Sequence, residues 1–335
     1  MERKFAPYSP DFERLRQTLY GHKSDRIPLF ELAVDVDIMS KFLSRPVTTL
    51  ADKIEFSRLA GYDYVKLSPS IRMNPVKDAS VPWGTEGKGA ITTLQEYEQF
   101  HFAEVEDQQF ADFERVSNML PDGMKVVGQY GDIFTFAWEF MGFETFSFAL
   151  IENPDLVKKV VERVGEIVLE LFRRMSEFDS VGALFYSDDI AYQSGLMLSP
   201  KTLRDLLFPW MARIGDLCKA RNIPYIYHSD GKLWQVMDDL AALGIDALQP
   251  LEPQAWDIEA VKEKYGEQFC LIGNVDVDLL ARGTLEEIRE TVTTLINKVG
   301  QQGGYCVGSG NTVPKYAKAE NFRAMVETTW RLGAF

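Results

Sequence analysis

Apolar positions along this chain follow two alternating periods. From residue 124 onward, short continuous apolar runs of strand length are separated by longer stretches in which apolar residues return every three or four positions. Met124-Lys125-Val126-Val127-Gly128 is the first such run, and an aromatic-rich helical stretch over residues 134–150 follows it. Asn153-Pro154 then supplies an N-cap side chain and a proline at the first helical position. Behind it Leu156, Val160, Val161, Val164, Ile167, Val168 and Leu171 recur at helical spacing. Ala183–Tyr186, Tyr225–His228, Ala247–Gln249, Phe269–Ile272 and Gly304–Val307 are the later strand-like runs. Helical patterns lie between them: one opened by Ser199-Pro200, one over Leu233–Leu243, and one running from the capping box Thr284-Leu285-Glu286-Glu287 to about Val299. A last one spans about Ala319 to Leu332.

Upstream, Ile27–Phe30 and Tyr64–Leu67 add two more runs. Eight strands alternating with helices predict an α/β fold, a single (β/α)8 TIM barrel over residues 1–335. The stretch from about residue 70 to 120 is too long for a simple βα unit. It predicts an insertion after the second strand, with a glycine-rich hairpin over Trp83–Gly89, sitting over the barrel mouth as a lid or substrate wall.

Composition narrows the class further. A hydrophobic share of 46% in 335 residues is ample for one large core. No apolar run reaches the length of a membrane span. Met1–Pro7 has no apolar signal core behind it, so a cytoplasmic location is expected. Fifty acidic residues against 36 basic ones give a net charge of −14, the wrong sign for a nucleic-acid partner. The cysteines, Cys218, Cys270 and Cys306, are well separated and odd in number, which predicts buried free thiols rather than a disulfide framework.

Polar residues cluster where the strands end, as in barrels that build their active sites at the carboxyl ends of successive strands. His228 and Asp230, two apart on a strand end, point the same way and can share a divalent metal such as zinc, or act as an acid–base pair. The structural alternative is a hydrogen-bonded core histidine beside a helix-capping aspartate. Asp188-Asp189 ends another strand, with Tyr192 and Gln193 after it. That pair could hold a cation, take hydrogen bonds from a polar ligand, or, if crowded, supply a general acid of raised pKa; capping of the next turn by one of them is the simpler account.

Glu252, held between Pro250 and Pro253, is the third candidate metal ligand. Asn274, Asp276 and Asn311 end the last strands as candidate substrate contacts, and Gly308-Ser309-Gly310 permits close approach of a ligand to the backbone. Glu31, Gln129 and Tyr130 occupy equivalent positions on the other rim. No phosphate-binding glycine fingerprint, serine nucleophile elbow or zinc-finger cysteine spacing is present.

His228-Ser229-Asp230-Gly231, the run Gly244 to Pro253, Gly273-Asn274-Val275-Asp276, Glu320-Asn321 and Asp188-Asp189 followed by Ser199-Pro200 occur in an order that resembles the uroporphyrinogen decarboxylase superfamily. The resemblance is strongest from about Met124 to Leu332. It implies one of two activities. One branch decarboxylates the acetate side chains of a porphyrinogen without metal or cofactor; the other moves methyl groups to or from corrinoid proteins, usually with a zinc-bound thiolate. The decarboxylases carry an arginine-rich motif near the first strand, where this chain reads Ile27-Pro28-Leu29-Phe30-Glu31-Leu32. Ser68-Pro69-Ser70 stands near their substrate-binding aspartate, and Asn311 near their late histidine.

The methyltransferases hold zinc with His-x-Cys and a later Cys. His228 matches the first ligand, Asp230 stands for the first Cys, and Asn311 lies near the last. Oxygen ligands make the ion a harder Lewis acid, suited to a methyl ether or amine as donor. The resemblance therefore implies a methyltransferase using zinc and a corrinoid carried by a separate protein, with Asp188, Asp189, His228 and Asp230 catalytic and a homodimer as its assembly. A decarboxylase of a tetrapyrrole or small aromatic acid, for which Lys66, Arg72 and Lys77 are the nearby cations, is the second reading. A non-catalytic ligand-binding barrel is the third.

Overall fold

The computed structural model describes residues 8–73 and 89–335. Its strands are β1 (Tyr64–Leu67), β2 (Lys125–Gly131), β3 (Val181–Ser187), β4 (Ala191–Tyr192), β5 (Gly195–Leu196), β6 (Tyr225–His228), β7 (Ala247–Leu251), β8 (Cys270–Val275) and β9 (Tyr305–Ser309). Seven of them form one parallel sheet in the order β1-β2-β3-β6-β7-β8-β9. β4 and β5 form a small antiparallel hairpin of their own. Every residue of β3, β6, β7 and β9 is buried, which is why they read in the sequence as near-continuous apolar runs instead of alternating ones.

The expected strand Ile27–Phe30 lies in place but does not form a ladder. Leu29 makes one parallel bridge to Val307 of β9, flanked by Phe30 N donating to Val307 O at 2.9 Å and Val307 N to Pro28 O at 3.0 Å. Pro28 has no N–H to extend the pairing. Toward β1 the contact is a side chain: the Tyr64 hydroxyl accepts from Glu31 N at 2.9 Å and donates to Glu31 O at 3.0 Å. Phe30 stacks on Tyr64 at 4.8 Å and meets Phe185 of β3 edge-on at 5.6 Å. The sheet thus curls until residues 27–31 stand between its two edges: seven of the eight expected strands form the ladder, and Ile27–Phe30 joins it as a bridging segment.

The helices take the faces their spacing predicted. Pro154–Met175 buries all seven of the residues singled out above, and Gly165 lets the Trp210 ring lie where a side chain would stand, 2.3 Å from an added Cβ. Thr284 and Glu287 close a capping box at the start of Leu285–Leu295. Of the 70–120 segment, Ile91 donates to Phe140 O and Phe100 and Phe102 pack on Phe140, so this part lies against helix Ile133–Met141. Phe110 and Phe113 pack on Phe178, just ahead of β3. The expected hairpin at Trp83–Gly89 falls, except for Gly89, outside the described residues, as does Lys77. All three cysteines are free and buried. No described helix is long and apolar enough to cross a membrane.

Candidate active site

β6 ends with His228, which is 6% exposed, and the chain continues extended through Ser229 to Asp230. The next strand in the sheet, β3, ends one residue before Asp188-Asp189. These two ends bring Asp189, His228 and Asp230 together, with one donor atom of each within 4.8 Å of the others. His228 Nε2 stands 3.6 Å from Asp189 Oδ1 and 3.8 Å from Asp230 Oδ1. Asp189 is half exposed and Asp230 one-third exposed, so the group is open on the carboxylate side and closed behind the ring.

The tautomer of His228 follows from its neighbours. Nδ1 lies 2.5 Å from Gln249 Oε1, and Gln249 Nε2 donates to Asn311 O at 3.0 Å. Turning the amide over would set two oxygens against each other at Asn311, so Oε1 faces the ring and Nδ1 carries the proton. When the ring ligates, Nε2 is the free nitrogen and presents its lone pair between two carboxylates. A ring nitrogen 3.6 and 3.8 Å from two carboxylate oxygens, with one donor atom of each residue within 4.8 Å of the others, is an arrangement that a cation relieves. A tetrahedral ion with bonds of about 2.0–2.1 Å keeps its ligand atoms roughly 3.4 Å apart, close to these separations. The donor set therefore fits zinc, with Gln249 orienting the histidine as ligand-supporting groups do.

The surroundings fix the carboxylates. Asn311 Nδ2 donates to both oxygens of Asp230, at 2.9 and 2.8 Å, and Asp230 N donates to Asp189 Oδ1 at 2.8 Å. Burial pushes the Asp230 carboxyl up to about 6; His228 and Asn311 act to lower it, while the charges of Asp189 and Glu252 raise it. Glu252, expected as the third ligand, is not in the donor group. Its Oε2 accepts from Gly231 N at 2.8 Å, which holds the turn after Asp230, and Asp189 stands in the group instead.

Asp188 points the other way, as the alternation of an extended chain requires. It is fully buried and accepts four hydrogen bonds: Phe134 N at 2.6 Å, Thr135 N at 3.1 Å, Thr135 Oγ1 at 3.0 Å and the Tyr186 hydroxyl at 2.7 Å. Burial raises its pKa to about 7 against the pull of those bonds. Its carboxylate thus binds the first backbone N–H groups of helix Ile133–Met141 to β3. Asp132, before that helix, is a non-glycine residue at φ 69°. Burial raises its carboxyl well above the usual range, and the charges of Asp188, Asp189 and Glu139 add to the rise. Gly131 beside it admits the strand crossing, since an added Cβ would lie 1.7 Å from Ser187 O.

The other expected contacts spread around the strand ends. Gln129 donates to Ser187 Oγ at 2.8 Å and accepts from Ser68 Oγ at 2.9 Å, linking β1, β2 and β3; Tyr130 is next to it on β2. Tyr192 and Gln193, both exposed, sit on the β4–β5 hairpin, which Lys232 N ties to the loop after Asp230 through Tyr192 O at 3.0 Å. Asn274 donates to Leu251 O, and Asp276 caps helix Val277–Arg282 and accepts from Gln254. Glu31 is on the bridging segment, its oxygens bonded to Ser309 N at 2.8 Å and to the Ser309 hydroxyl. Asp132 and the orienting role of Gln249 escaped the sequence reading. Gly131-Asp132 and Gln249-Pro250 both stand at strand ends, the one signal that could have raised them.

A curled parallel α/β sheet with its polar cluster at the carboxyl ends of the strands defines the barrel-like enzyme class. The profile of the family described as Uroporphyrinogen decarboxylase (URO-D) matches residues 90–332. The chain belongs to this family. A uroporphyrinogen decarboxylase of Hydrogenovibrio crunogenus is 28% identical over 144 residues, 41% of this chain and 39% of that protein. One of Psychromonas ingrahamii is 21% identical over 187 residues, 54% of this chain and 49% of that one. The chain therefore spans half or less of the length of these relatives. Among solved structures, a methyltransferase from Methanosarcina mazei matches with a TM-score of 0.70 over 95% of this chain and 97% of that one, at 17% identity. That likeness is one of fold.

Proposed function

We infer that the protein transfers a methyl group between a small methyl donor, an amine or ether, and a corrinoid carried by a separate protein, with zinc held by Asp189, His228 and Asp230. The observation that carries this reading is the Nε2 lone pair of His228 set between two carboxylates. Zinc bound there would supply Lewis acidity toward the donor's heteroatom. Gln249 keeps the imidazole in the ligating tautomer, Asn311 fixes the Asp230 carboxylate, and Asp188 anchors helix Ile133–Met141 and with it the acidic wall at Asp132. Among the described residues no lysine or arginine pairs with Asp132, Asp188, Asp189, Asp230 or Glu252. A neutral methylated amine or ether keeps a lone pair for the metal and meets no repulsion from such a wall, whereas a porphyrinogen bearing several carboxylates is repelled by it. The methyltransferase fold match supports the same choice, and in this reading residues 27–30 complete an eight-membered closed barrel.

The curated relatives favour decarboxylation, so the test separates the two. Protein loaded with zinc is mixed with reduced cobalamin and a panel of methylated amines and aryl methyl ethers, and formation of methylcobalamin is followed by absorbance. Turnover that disappears in H228A and D230A supports methyl transfer. No methylcobalamin from any donor, together with carbon dioxide release from a porphyrinogen or an aromatic acid, selects the decarboxylase instead. Ligand retention without either product selects the binding barrel.

A further inference from the structure

The carboxyl groups around the mouth differ in one respect. Asp188 accepts four hydrogen bonds, Asp189 accepts from Asp230 N, Asp230 from Asn311, Glu252 from Gly231 N and Asp276 from Gln254. Among the described residues the Asp132 carboxyl accepts none, not even from the helix it precedes. Asp132 nevertheless stands at the same place. Its N–H donates to Ser187 O at 2.6 Å, one residue ahead of Asp188-Asp189 on the neighbouring strand. The residue is part-exposed, and burial is still the largest influence on its carboxyl, ahead of the charges of Asp188, Asp189 and Glu139.

Its position in the chain would ordinarily give that carboxyl a partner. An aspartate one residue ahead of a helix caps it by accepting from the second or third N–H. Here those donors are Phe134 N and Thr135 N, and Asp188 takes both, at 2.6 and 3.1 Å. Asp132 is left in the left-handed region, at φ 69° and ψ 37°. An aspartate is tolerated there when its side chain bonds locally, and this one does not. The helix end is therefore satisfied without Asp132, and the fold draws no hydrogen bond from its side chain. A polar group free of structural duties, beside the Asp189–His228–Asp230 group, is available to whatever that group holds.

We propose that Asp132 selects the methyl donor: its carboxyl accepts a hydrogen bond from an N–H of the donor held at the Asp189–His228–Asp230 group, so the donor is a methylated amine that keeps an N–H. This rests on the methyl-transfer reading and narrows it, since neither an ether nor a tertiary amine has that hydrogen. Ionised or protonated, the carboxyl retains an accepting oxygen, so the contact does not depend on its titration. A site built around such a hydrogen bond rejects an analogue lacking the donor more sharply than an apolar pocket rejects a missing methyl group. The test is calorimetric titration of the zinc-loaded full-length protein at pH 8 with dimethylamine, trimethylamine and anisole. The parent should bind dimethylamine roughly tenfold or more tighter than trimethylamine or anisole, the equivalent of one hydrogen bond. D132G, which suits the left-handed backbone and offers no acceptor, should lose that preference, and D132N, which keeps one acceptor oxygen, should retain part of it. Zinc affinity should fall less in D132G than in D189N. A separate reading needs no amine: the urea midpoint of zinc-free D132N should equal or exceed the parent's, whereas an aspartate that serves the fold would lower it. A preference that survives in D132G or is missing from the parent, or a lower midpoint in D132N, overturns the role of Asp132 and leaves methyl transfer standing. A zinc-loaded parent that binds none of the three compounds overturns both.

Discussion

Replacing Gln249 by leucine tests the orientation of His228 directly. The amide accepts the Nδ1 proton at 2.5 Å from a ring that is 6% exposed, so water cannot take its place. Leaving that donor unsatisfied costs about 1–3 kcal/mol. The imidazole has a way to avoid the cost: it moves its proton to Nε2, where two carboxylates at 3.6 and 3.8 Å attract it. That tautomer occupies the lone pair the metal needs. The substitution also frees Asn311 O, loosening the residue whose amide holds both oxygens of Asp230. Loss of a ligand-orienting partner of this kind weakens metal affinity by roughly 10–100-fold, or about 1.4–2.7 kcal/mol. Zinc affinity measured by competition with a chromogenic chelator at pH 7.5 should fall by that factor in Q249L. In Q249E, whose carboxylate is a stronger acceptor, it should hold or rise. Nitrogen NMR of the zinc-free protein, taken at a pH where the ring is singly protonated, should show the proton on Nδ1 in the parent and on Nε2 in Q249L. Equal zinc affinity in parent and Q249L, with the same tautomer in both, would refute the argument.

Three further outcomes follow from the same geometry. Asn311→Ala removes the two bonds that lower the Asp230 pKa, so it should rise above about 6; zinc affinity measured from pH 5.5 to 8 should then drop first on the acidic side, with little change at pH 8. Asp188→Asn offers one acceptor oxygen to donors that now meet two, and turns an N–H toward the others. It should destabilise by about 2–3 kcal/mol, read as a lower urea midpoint with an unchanged slope. Asp246, which accepts from Tyr225 N at 2.8 Å, is raised by burial to about 6 from 3.8. The folded state therefore holds its proton more tightly than the unfolded chain, and stability falls as pH rises from about 4 through 6. Asp246→Asn escapes that loss. Its melting temperature should exceed the parent's by roughly one to two degrees at pH 8, on the order of 1 kcal/mol after solvent screening, and match it at pH 4.

Most of the sheet was legible because full burial makes parallel strands apolar on both faces. β3, Val181-Gly182-Ala183-Leu184-Phe185-Tyr186-Ser187, could be read from hydrophobicity alone. Ile27–Phe30 has the same composition, yet it pairs through one bridge. Whether an apolar run forms a ladder depends on the N–H that Pro28 lacks and on a tyrosine hydroxyl 33 residues away, neither of which leaves a periodic trace. In the site, the two-residue spacing of His228 and Asp230 was readable because a strand end aligns them. Gln249 and Asn311 meet across 62 residues, and Glu252 turned aside to a backbone N–H of its own loop. Asp132 depends on a left-handed backbone that no composition signals, since it is not a glycine.

The adjacent pair Asp188-Asp189 shows why such a site needs its neighbours to be polar on both faces of the strand end. Alternation sends one side chain toward the helix layer and the next toward the mouth. The charges of Asp188, Asp189 and Glu139 all act against ionisation of Asp132 at the entry of helix Ile133–Met141. Asp188 itself binds the helix through Phe134 N and Thr135 N, where the N-terminal dipole favours negative charge. The anionic group at the mouth is thus held by a second anion that the helix end stabilises. Neutralising Asp189 should accordingly weaken metal binding while leaving the fold nearly untouched, and neutralising Asp188 should do the reverse. Zinc affinity and urea midpoint measured on D189N and D188N side by side would exchange rank between the two variants if the division holds. Parallel losses in both would show that the pair acts as one unit.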